Sequence, residues 1–368
     1  MSLTVLQLLP ALESGGVERG TIEIARALTA AGHRALVVSE GGRLVPELEA
    51  AGAEHIRIPV GRKSPFTFRH VLTLRRLMRR EGVDILHLRS RLPAWVGWHA
   101  WRGMAPSARP GLVTTFHGFY SPGRYSSVMA RGERVIAVSE SIREYILAQY
   151  PDTEPERLRV IHRGVDPVRY PRGYRPPHDW LRRWYRQYPQ LAESLVLTLP
   201  ARVTRWKGQE DLVAIVRKLR AHGIPAAGVI AGGVHPRRRT FLRELETLIE
   251  AAGLQGHVIL AGHRNDLREV MAASDVVLSL SHDPEAFGRT TLEALSMGKA
   301  VIGYAHGGVR EQLAAMYPEG LVPVGDMDAV VRRVIEWGHE PPPVNAPLGF
   351  TLEAMQQRTL SVYRELAA

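Results

Sequence analysis

Two carboxylates stand eight residues apart in Glu285-Ala-Phe-Gly-Arg-Thr-Thr-Leu-Glu293, and they are the groups of this chain best placed to do chemistry. Ionised carboxylates accept hydrogen bonds from hydroxyl groups. The apolar run Val276–Leu280 precedes them and reads as a buried strand, and a helical pattern begins near Gly288 with Leu292, Leu295 and Met297 on its apolar face. Glu285 is therefore expected in a loop at the carboxyl end of a strand, where open α/β sheets bind ligands. As a loop carboxylate it is expected to support no core. Glu293 is expected about two turns into the helix. The free amides of Phe287, Gly288, Arg289, Thr290 and Thr291 would form an anion site of backbone at its start. A diphosphate between two polyols, as in a nucleotide sugar, fits such a set.

Elements able to position these groups alternate along most of the chain. Thr4–Leu9 reads as a strand and leads through Gly15-Gly16 to a helix from about Val17 to Ala31, ended by Gly32. Ala35–Ser39, Val83–Leu88, Leu112–Thr115 and Val135–Val138 read as further strands, with a helix around Leu44–Ala51. Between Tyr150 and Pro177 the chain turns rich in Pro, Arg and Asp and loses its period, as an interdomain crossing would. The alternation restarts at Leu195–Leu199 and continues through Ala226–Ile230, Val258–Leu260, Val276–Leu280 and Ala300–Gly303. Repeated βα units imply an α/β fold with two parallel sheets, each covered on both faces. Thr351–Ala367 reads as a final amphipathic helix through Leu352, Met355, Leu360, Tyr363 and Leu366. Gly15 and Gly16 let backbone approach a phosphate or sugar closely, but they do not form a G-x-G-x-x-G fingerprint, so a nicotinamide cofactor is not supported.

Composition bounds the remaining classes. A chain of 368 residues is long enough for two cores, and 45% apolar with 23% charged residues is ordinary for a globular protein. The absence of cysteine excludes disulfides, thiolate nucleophiles and cysteine zinc sites. Residues 1–9 are too short for a span and lack a basic flank, so they read as a first strand and not as a signal peptide. The expectation is a soluble protein of the cytoplasm. Residues 1–175 carry 26 Lys and Arg against 16 Asp and Glu, whereas residues 176–368 carry 22 against 21. An anionic partner is thus expected for the first half only. No recognition module accompanies the charge, so nucleic acid is not expected. Segment Pro65–Arg80 combines apolar residues at helical spacing with Arg69, Arg75, Arg76, Arg79 and Arg80, and Trp95, Trp98 and Trp101 follow. Docking on the anionic cytoplasmic face of a membrane is the expectation there.

Glu285 and Glu293, followed by Ala294-Leu-Ser-Met-Gly-Lys-Ala-Val-Ile302 and Gly307-Gly-Val-Arg-Glu311, resemble the signature of retaining GT-B glycosyltransferases of family 4. The resemblance covers almost the whole chain. It implies two Rossmann-like domains facing across a cleft, residues 1–170 on the acceptor side and 171–350 on the nucleotide-sugar side. It also implies that helix 351–368 returns to the first domain. Ala201-Arg202-Val-Thr-Arg-Trp-Lys207-Gly208 resembles the element whose Arg and Lys clamp the donor diphosphate. A leaving diphosphate gains charge as the glycosidic bond breaks, so fixed cations there stabilise the transition state and replace a metal. Arg205 falls off that motif and reads as a solvated charge.

Several further residues follow from the same resemblance. Thr114-Thr-Phe-His117-Gly118 resembles the loop whose His faces the transferred sugar, and Ser139 either matches the Ser of the next strand end or caps a helix. Arg264 and Asn265 lie where the family holds the base, with Asp266 as a helix N-cap. Gly15, Gly16, Phe287, Gly288, Arg289, Thr290 and Glu293 complete the donor-binding set, and Glu285, Arg202, Lys207 and His117 the catalytic one. His162-Arg163-Gly164 stands where the family often has Pro-Asn-Gly. Gly325-Asp-Met-Asp328 matches a bare D-x-D metal pattern but precedes a helix, so capping is expected. The implied reaction moves a hexose from a nucleotide diphosphate sugar, UDP foremost, to a glycan or glycolipid hydroxyl, without metal or cofactor. Thr153-Glu-Pro-Glu-Arg157 and the basic first half resemble lipopolysaccharide-core sugar transferases. A nucleotide-sugar epimerase or hydrolase is the alternative on the same fold.

Overall fold

The computed structural model describes residues 2–13, 15–234 and 239–367. The chain forms two units, residues 1–163 with 352–368 and residues 164–351, and the aperiodic stretch 150–177 contains the division. The first unit holds a seven-stranded parallel sheet in the order β3-β2-β1-β4-β5-β6-β7. Its strands are β1 (Thr4–Leu8), β2 (Arg34–Ser39), β3 (Glu54–Arg57), β4 (Ile85–Leu88), β5 (Gly111–Phe116), β6 (Arg134–Ala137) and β7 (Leu158–Val160). The helices are α1 (Gly16–Ala30), α2 (Val45–Ala50), α3 (His70–Arg80), α4 (Arg91–Arg102) and α5 (Glu140–Gln149). The central strands β1 and β4 are buried on both faces, as strands of a parallel sheet covered on both sides are.

The second unit repeats the plan with six parallel strands in the order β10-β9-β8-β11-β12-β13. After α6 (His178–Gln187) come β8 (Leu195–Leu199), α7 (Gln209–Ala221), β9 (Ala226–Ala231), α8 (Arg239–Ala251) and β10 (Val258–Gly262). Then follow α9 (Leu267–Ala272), β11 (Val276–Ser279), α10 (Arg289–Ser296), β12 (Ala300–Tyr304), α11 (Gly307–Met316), β13 (Leu321–Val322) and α12 (Met327–Trp337). In each sheet the order reverses once, between β1 and β4 and between β8 and β11. Loops leaving neighbouring strands at such a reversal diverge to opposite faces and open a crevice.

Every expected strand is present, and three unexpected ones appear: β3, β7 and β13. All three are short edge strands. Glu54-His-Ile-Arg57 has no buried residue, so the apolar pattern that betrays a central strand was never needed there. Gly32 closes α1 as expected, its amide bonding Thr29 O at 3.0 Å and that of His33 bonding Leu28 O at 2.9 Å. Asp326 caps α12 by accepting from the Ala329 amide at 2.8 Å, and Asp328 pairs with Lys218, so the D-x-D sequence is capping and surface pairing.

The final helix α13 (Leu352–Ala367) belongs to the first unit. Met355, Leu360, Val362 and Tyr363 are buried in the core of that unit, against residues of α1, β4 and β5. A polar contact fixes its register: Tyr363 Oη lies 2.6 Å from His87 Nδ1, and His87 Nε2 lies 2.7 Å from Thr115 Oγ1. Burial, with the nearby charges of Arg89 and Arg163, holds the His87 imidazole neutral well below its ordinary value of 6.5. Unfolded, His87 takes up a proton near pH 6.5; folded, it does not. Its contribution is therefore present above that pH and lost as pH falls below it. Stability should fall with a His87 component of about 1.4 kcal/mol per pH unit below the unfolded pKa. Urea midpoints at pH 7.5, 6 and 5 should show a shallower decline for His87→Asn than for wild type. An unchanged decline would mean that His87 titrates alike in both states.

Candidate active site

The site of the second unit is built from loops leaving β8, β11 and β12. The loop after β8 carries Arg202 and Lys207, and that after β11 carries Glu285. Backbone joins them: the His282 amide donates to Trp206 O at 2.7 Å. Side chains complete the junction. Lys207 Nζ pairs with Glu285 Oε1, and Ser281 Oγ donates to the same oxygen at 2.8 Å. Both contacts fall on one carboxylate oxygen, Oε1. Lys207 also lies over the Trp206 ring, 3.9 Å from its centroid. Its side chain is 11% exposed and that of Glu285 23%. Burial pulls the Lys207 ammonium below its ordinary pKa, and Glu285 opposes that pull. The expectation that Glu285 supports no structure is thus corrected: it neutralises a largely buried cation.

The loop after β12 holds the Glu285 segment from beneath. The Gly308 amide donates to Glu285 O at 2.8 Å, and His306 Nε2 lies 2.6 Å from Ser281 O. Gly307 has φ +56°, and a Cβ there would meet Glu285 O at 2.5 Å, so no side chain fits. The buried Gln312 side chain donates to Phe287 O and Gly288 O. Phe287 is buried, and Gly288 occupies the N-cap position of α10. Arg289 and Thr290 form the first turn of α10, the end at which a helix directs its amides outward. Glu293 is the fifth residue of this helix, a little past one turn and not two. Arg202 is exposed, and among the described residues its guanidinium makes no hydrogen bond or ion pair. Cations, the N-terminus of α10 and a carboxylate thus lie on the loops at the β8/β11 reversal.

Other expected residues are engaged elsewhere. Arg264, on the loop after β10, binds Asp266 with Nε 2.8 Å from Oδ1 and lies over the Trp184 ring. Asp266 stands at the N-cap position of α9, but no cap bond forms. Its carboxylate takes Trp180 Nε1 at 2.7 Å and Arg264 instead. Asn265 is exposed. Arg205 pairs with Glu244 at the surface. Among the described residues no group of three or more His, Asp or Glu could hold a metal ion.

In the first unit, Gly15 is the N-cap residue of α1 and Gly16 its first residue. His117 follows β5, with its Nδ1 on Arg163 Nη2 and its Nε2 buried without a partner. Ser139 is buried and caps α5, its Oγ accepting from the Ile142 amide at 3.1 Å. Sequence reasoning missed Arg89, which is 1% exposed and donates to Gln7 Oε1 at 2.9 Å. A polar residue at the carboxyl end of an apolar strand was the available signal, in Gln7 on β1 and Arg89 after β4. Gln312 and His306 gave none, because their partners are backbone carbonyls.

The sequence profile of Glycosyltransferase Family 4 matches residues 14–169, and that of Glycosyl transferases group 1 matches residues 184–347. The 2-deoxystreptamine N-acetyl-D-glucosaminyltransferase of Streptomyces fradiae is 35% identical over 134 residues, 36% of this chain and 31% of that protein. The lipopolysaccharide glucosyltransferase WaaG of Escherichia coli is 32% identical over 165 residues, 42% of this chain and 40% of its own. The chain thus spans about a third to two fifths of these curated relatives. A glycosyltransferase from Rickettsia africae superposes with TM-score 0.86 at 29% identity, covering 99% of this chain and 98% of that one. Anabaena HepE, solved with UDP and glucose, shares the fold with TM-score 0.83 at 22% identity, covering 99% and 100%. With two parallel Rossmann-like sheets, a returning final helix and profiles matched along both halves, this chain belongs to the GT-B glycosyltransferases, its first half in family 4 and its second in group 1.

Proposed function

We propose that the chain transfers a hexose from a UDP-sugar to a hydroxyl of a cell-envelope glycan or glycolipid, with retention at the anomeric carbon. The observation that carries this reading is the Lys207–Glu285 pair beside the α10 N-terminus. A diphosphate there meets Lys207, Arg202 and the positive end of the α10 helix, while Glu285 accepts a hydrogen bond from the sugar. The bond from the anomeric carbon to phosphate breaks, and the acceptor oxygen bonds to the same face. The acceptor proton passes to the departing phosphate oxygen. Glu285 Oε1 is held by Lys207 and Ser281, which suits a positioning carboxylate better than a covalent nucleophile. The cations supply the charge that a metal would otherwise supply. HepE, described with UDP and glucose, supports the donor class, and WaaG supports an envelope acceptor.

The acceptor side has its own support. Phe66 (78% exposed), Phe68 and Leu72 project from the start of α3 and the turn before it. Around them Arg69, Arg76 and Arg79 are exposed and carry no ion pair among the described residues. We read this patch as docking on the anionic cytoplasmic face of a membrane that holds a lipid-linked acceptor. Two parts of the sequence expectation change. Trp98 is buried, and the indole N–H groups of Trp95 and Trp101 bond Tyr125 O and Pro110 O, so these rings pack within the unit. Arg75 donates to Ala100 O and is likewise committed. Among the described residues no helix is long and apolar enough to cross a membrane.

Lys207→Ala and Arg202→Ala should each lower kcat on the order of 10²-fold, as loss of one oxyanion donor does. The product anomer, read by NMR coupling constants, should match that of the donor, and activity should survive EDTA. An inverted product or an absolute need for Mg²⁺ or Mn²⁺ would refute the cation-clamp route. Nucleotide release without acceptor would favour the hydrolase or epimerase.

Glu285→Ala should lower kcat by about 10²–10³-fold and stability by about 1–3 kcal/mol, because it strands Lys207. Glu285→Gln should recover most of the stability and little of the rate. Equal rates in both variants and wild type would remove Glu285 from the site.

Liposome co-sedimentation tests the membrane reading. Binding should require anionic lipid, fall with salt, and be lost in Phe66→Ala and in Arg69→Gln/Arg76→Gln/Arg79→Gln. Equal recovery on neutral vesicles, or none on either kind, would contradict membrane docking and leave a soluble acceptor.

A further inference from the structure

Arg163 stands where the resembled family often has Asn, and its side chain ends on the one histidine assigned to the site. Arg163 is 8% exposed, and its Nη2 reaches His117 Nδ1. A guanidinium donates and never accepts, whereas an amide does both. Opposite Arg163, His117 Nδ1 must therefore offer its lone pair. The ring proton is then on Nε2, and that atom is buried without a protein partner. We propose that Arg163 is a positioning residue that fixes His117 as the neutral Nε2–H tautomer, so that His117 meets its ligand as a hydrogen-bond donor and not as a base. The ligand atom it takes is an oxygen with a free lone pair, on a sugar hydroxyl or a phosphate.

The surroundings enforce this arrangement. Arg163 is confined on two sides. Its Nη1 lies 4.0 Å from Met355 Sδ on α13, and a Cβ at Gly20 on α1 would stand 2.5 Å from that nitrogen. The same Cβ would lie 3.1 Å from Arg89 Nη2, so only glycine lets both guanidinium groups approach α1 this closely. Arg163, Arg89 and His87 are the charged or titratable groups set around the ring, and Tyr120 Oη accepts from the His117 amide at 3.3 Å. Burial first, then the two guanidinium charges, keep the imidazole unprotonated well below its ordinary range. A neutral ring with a proton fixed on one nitrogen is set up to orient an oxygen of the reactants. It cannot take the acceptor proton through Nδ1, which Arg163 occupies, nor through Nε2, which already carries one.

The inference rests on His117 being part of the site, and the test separates the two. The full chain, labelled with ¹⁵N-histidine, is examined by long-range ¹H–¹⁵N correlation, and the spectrum of His117→Gln assigns the His117 ring. Wild type should show an unprotonated Nδ1 and a protonated Nε2, unchanged from pH 8 to 5.5. Arg163→Gln should give mixed tautomers and a ring that titrates nearer 6.5, with kcat lowered on the order of tenfold and KM for donor little changed. Arg163→Lys, a donor only, should restore the tautomer. Gly20→Ala, which displaces the guanidinium without removing it, should reproduce the Arg163→Gln spectrum and covers the case in which that variant does not fold. An Nδ1–H or doubly protonated ring in wild type, or a tautomer indifferent to Arg163→Gln and Gly20→Ala, would overturn the proposal. Wild-type activity in His117→Gln, with the tautomer still set by Arg163, would instead remove His117 from the reaction and overturn the ligand contact, leaving only the control of the tautomer by Arg163.

Discussion

The arrangement of the second unit turns on one ion pair, Lys207 with Glu285. It ties the loop leaving β8 to the loop leaving β11, the two strands between which the sheet reverses its order. Taking both charges out of water is costly, and their attraction repays the cost only when the geometry is held. Ser281, the His282 amide and the Gly307-Gly308 turn hold it. Both contacts to the carboxylate fall on one oxygen, and burial pulls the ammonium toward neutrality. A diphosphate would bring the negative charge that favours the ammonium, and a sugar hydroxyl would bring a further donor to the carboxylate.

The first unit solves a related problem at its own reversal, between β1 and β4. There a buried guanidinium, Arg89, is held by an amide oxygen of Gln7 and not by a carboxylate. Burial first, and then the charges of Arg89 and of Arg163 beside it, keep His87 and His117 neutral. The final helix seals this region through Met355 and Tyr363, so the last residues of the chain set the environment of residues near positions 87 and 117. Both units thus place charge at the carboxyl ends of strands beside a reversal.

Legibility in the sequence followed burial on two faces. Central strands such as Leu195–Leu199 and Val276–Ser279 have no polar face and announce themselves, whereas edge strands such as Glu54–Arg57 carry no such pattern. Motif spacing placed Lys207 and Glu285 on the right loops but did not disclose that they pair, because that contact depends on which strands are neighbours. The Arg264–Asp266 clamp under Trp184 was hidden for the same reason, its aromatic partner lying 80 residues earlier. Exposure was the least legible property of all. Of three tryptophans that looked like an interfacial belt one is buried and two are half-buried with their indole N–H groups bonded to backbone, whereas two phenylalanines in a Pro-Phe-Thr-Phe turn are exposed.

The claim that the Lys207 loop and the α10 N-terminus form the diphosphate site is tested most directly by calorimetric titration. UDP, ADP and GDP are titrated into wild type and Lys207→Ala, with the matching nucleosides as controls. The account predicts that the nucleotide bound by wild type loses roughly 10–100-fold in affinity in the variant, the worth of one charge-assisted contact, while its nucleoside binds both proteins alike. A nucleotide bound equally well by both, or a nucleoside weakened as much as its diphosphate, would contradict it.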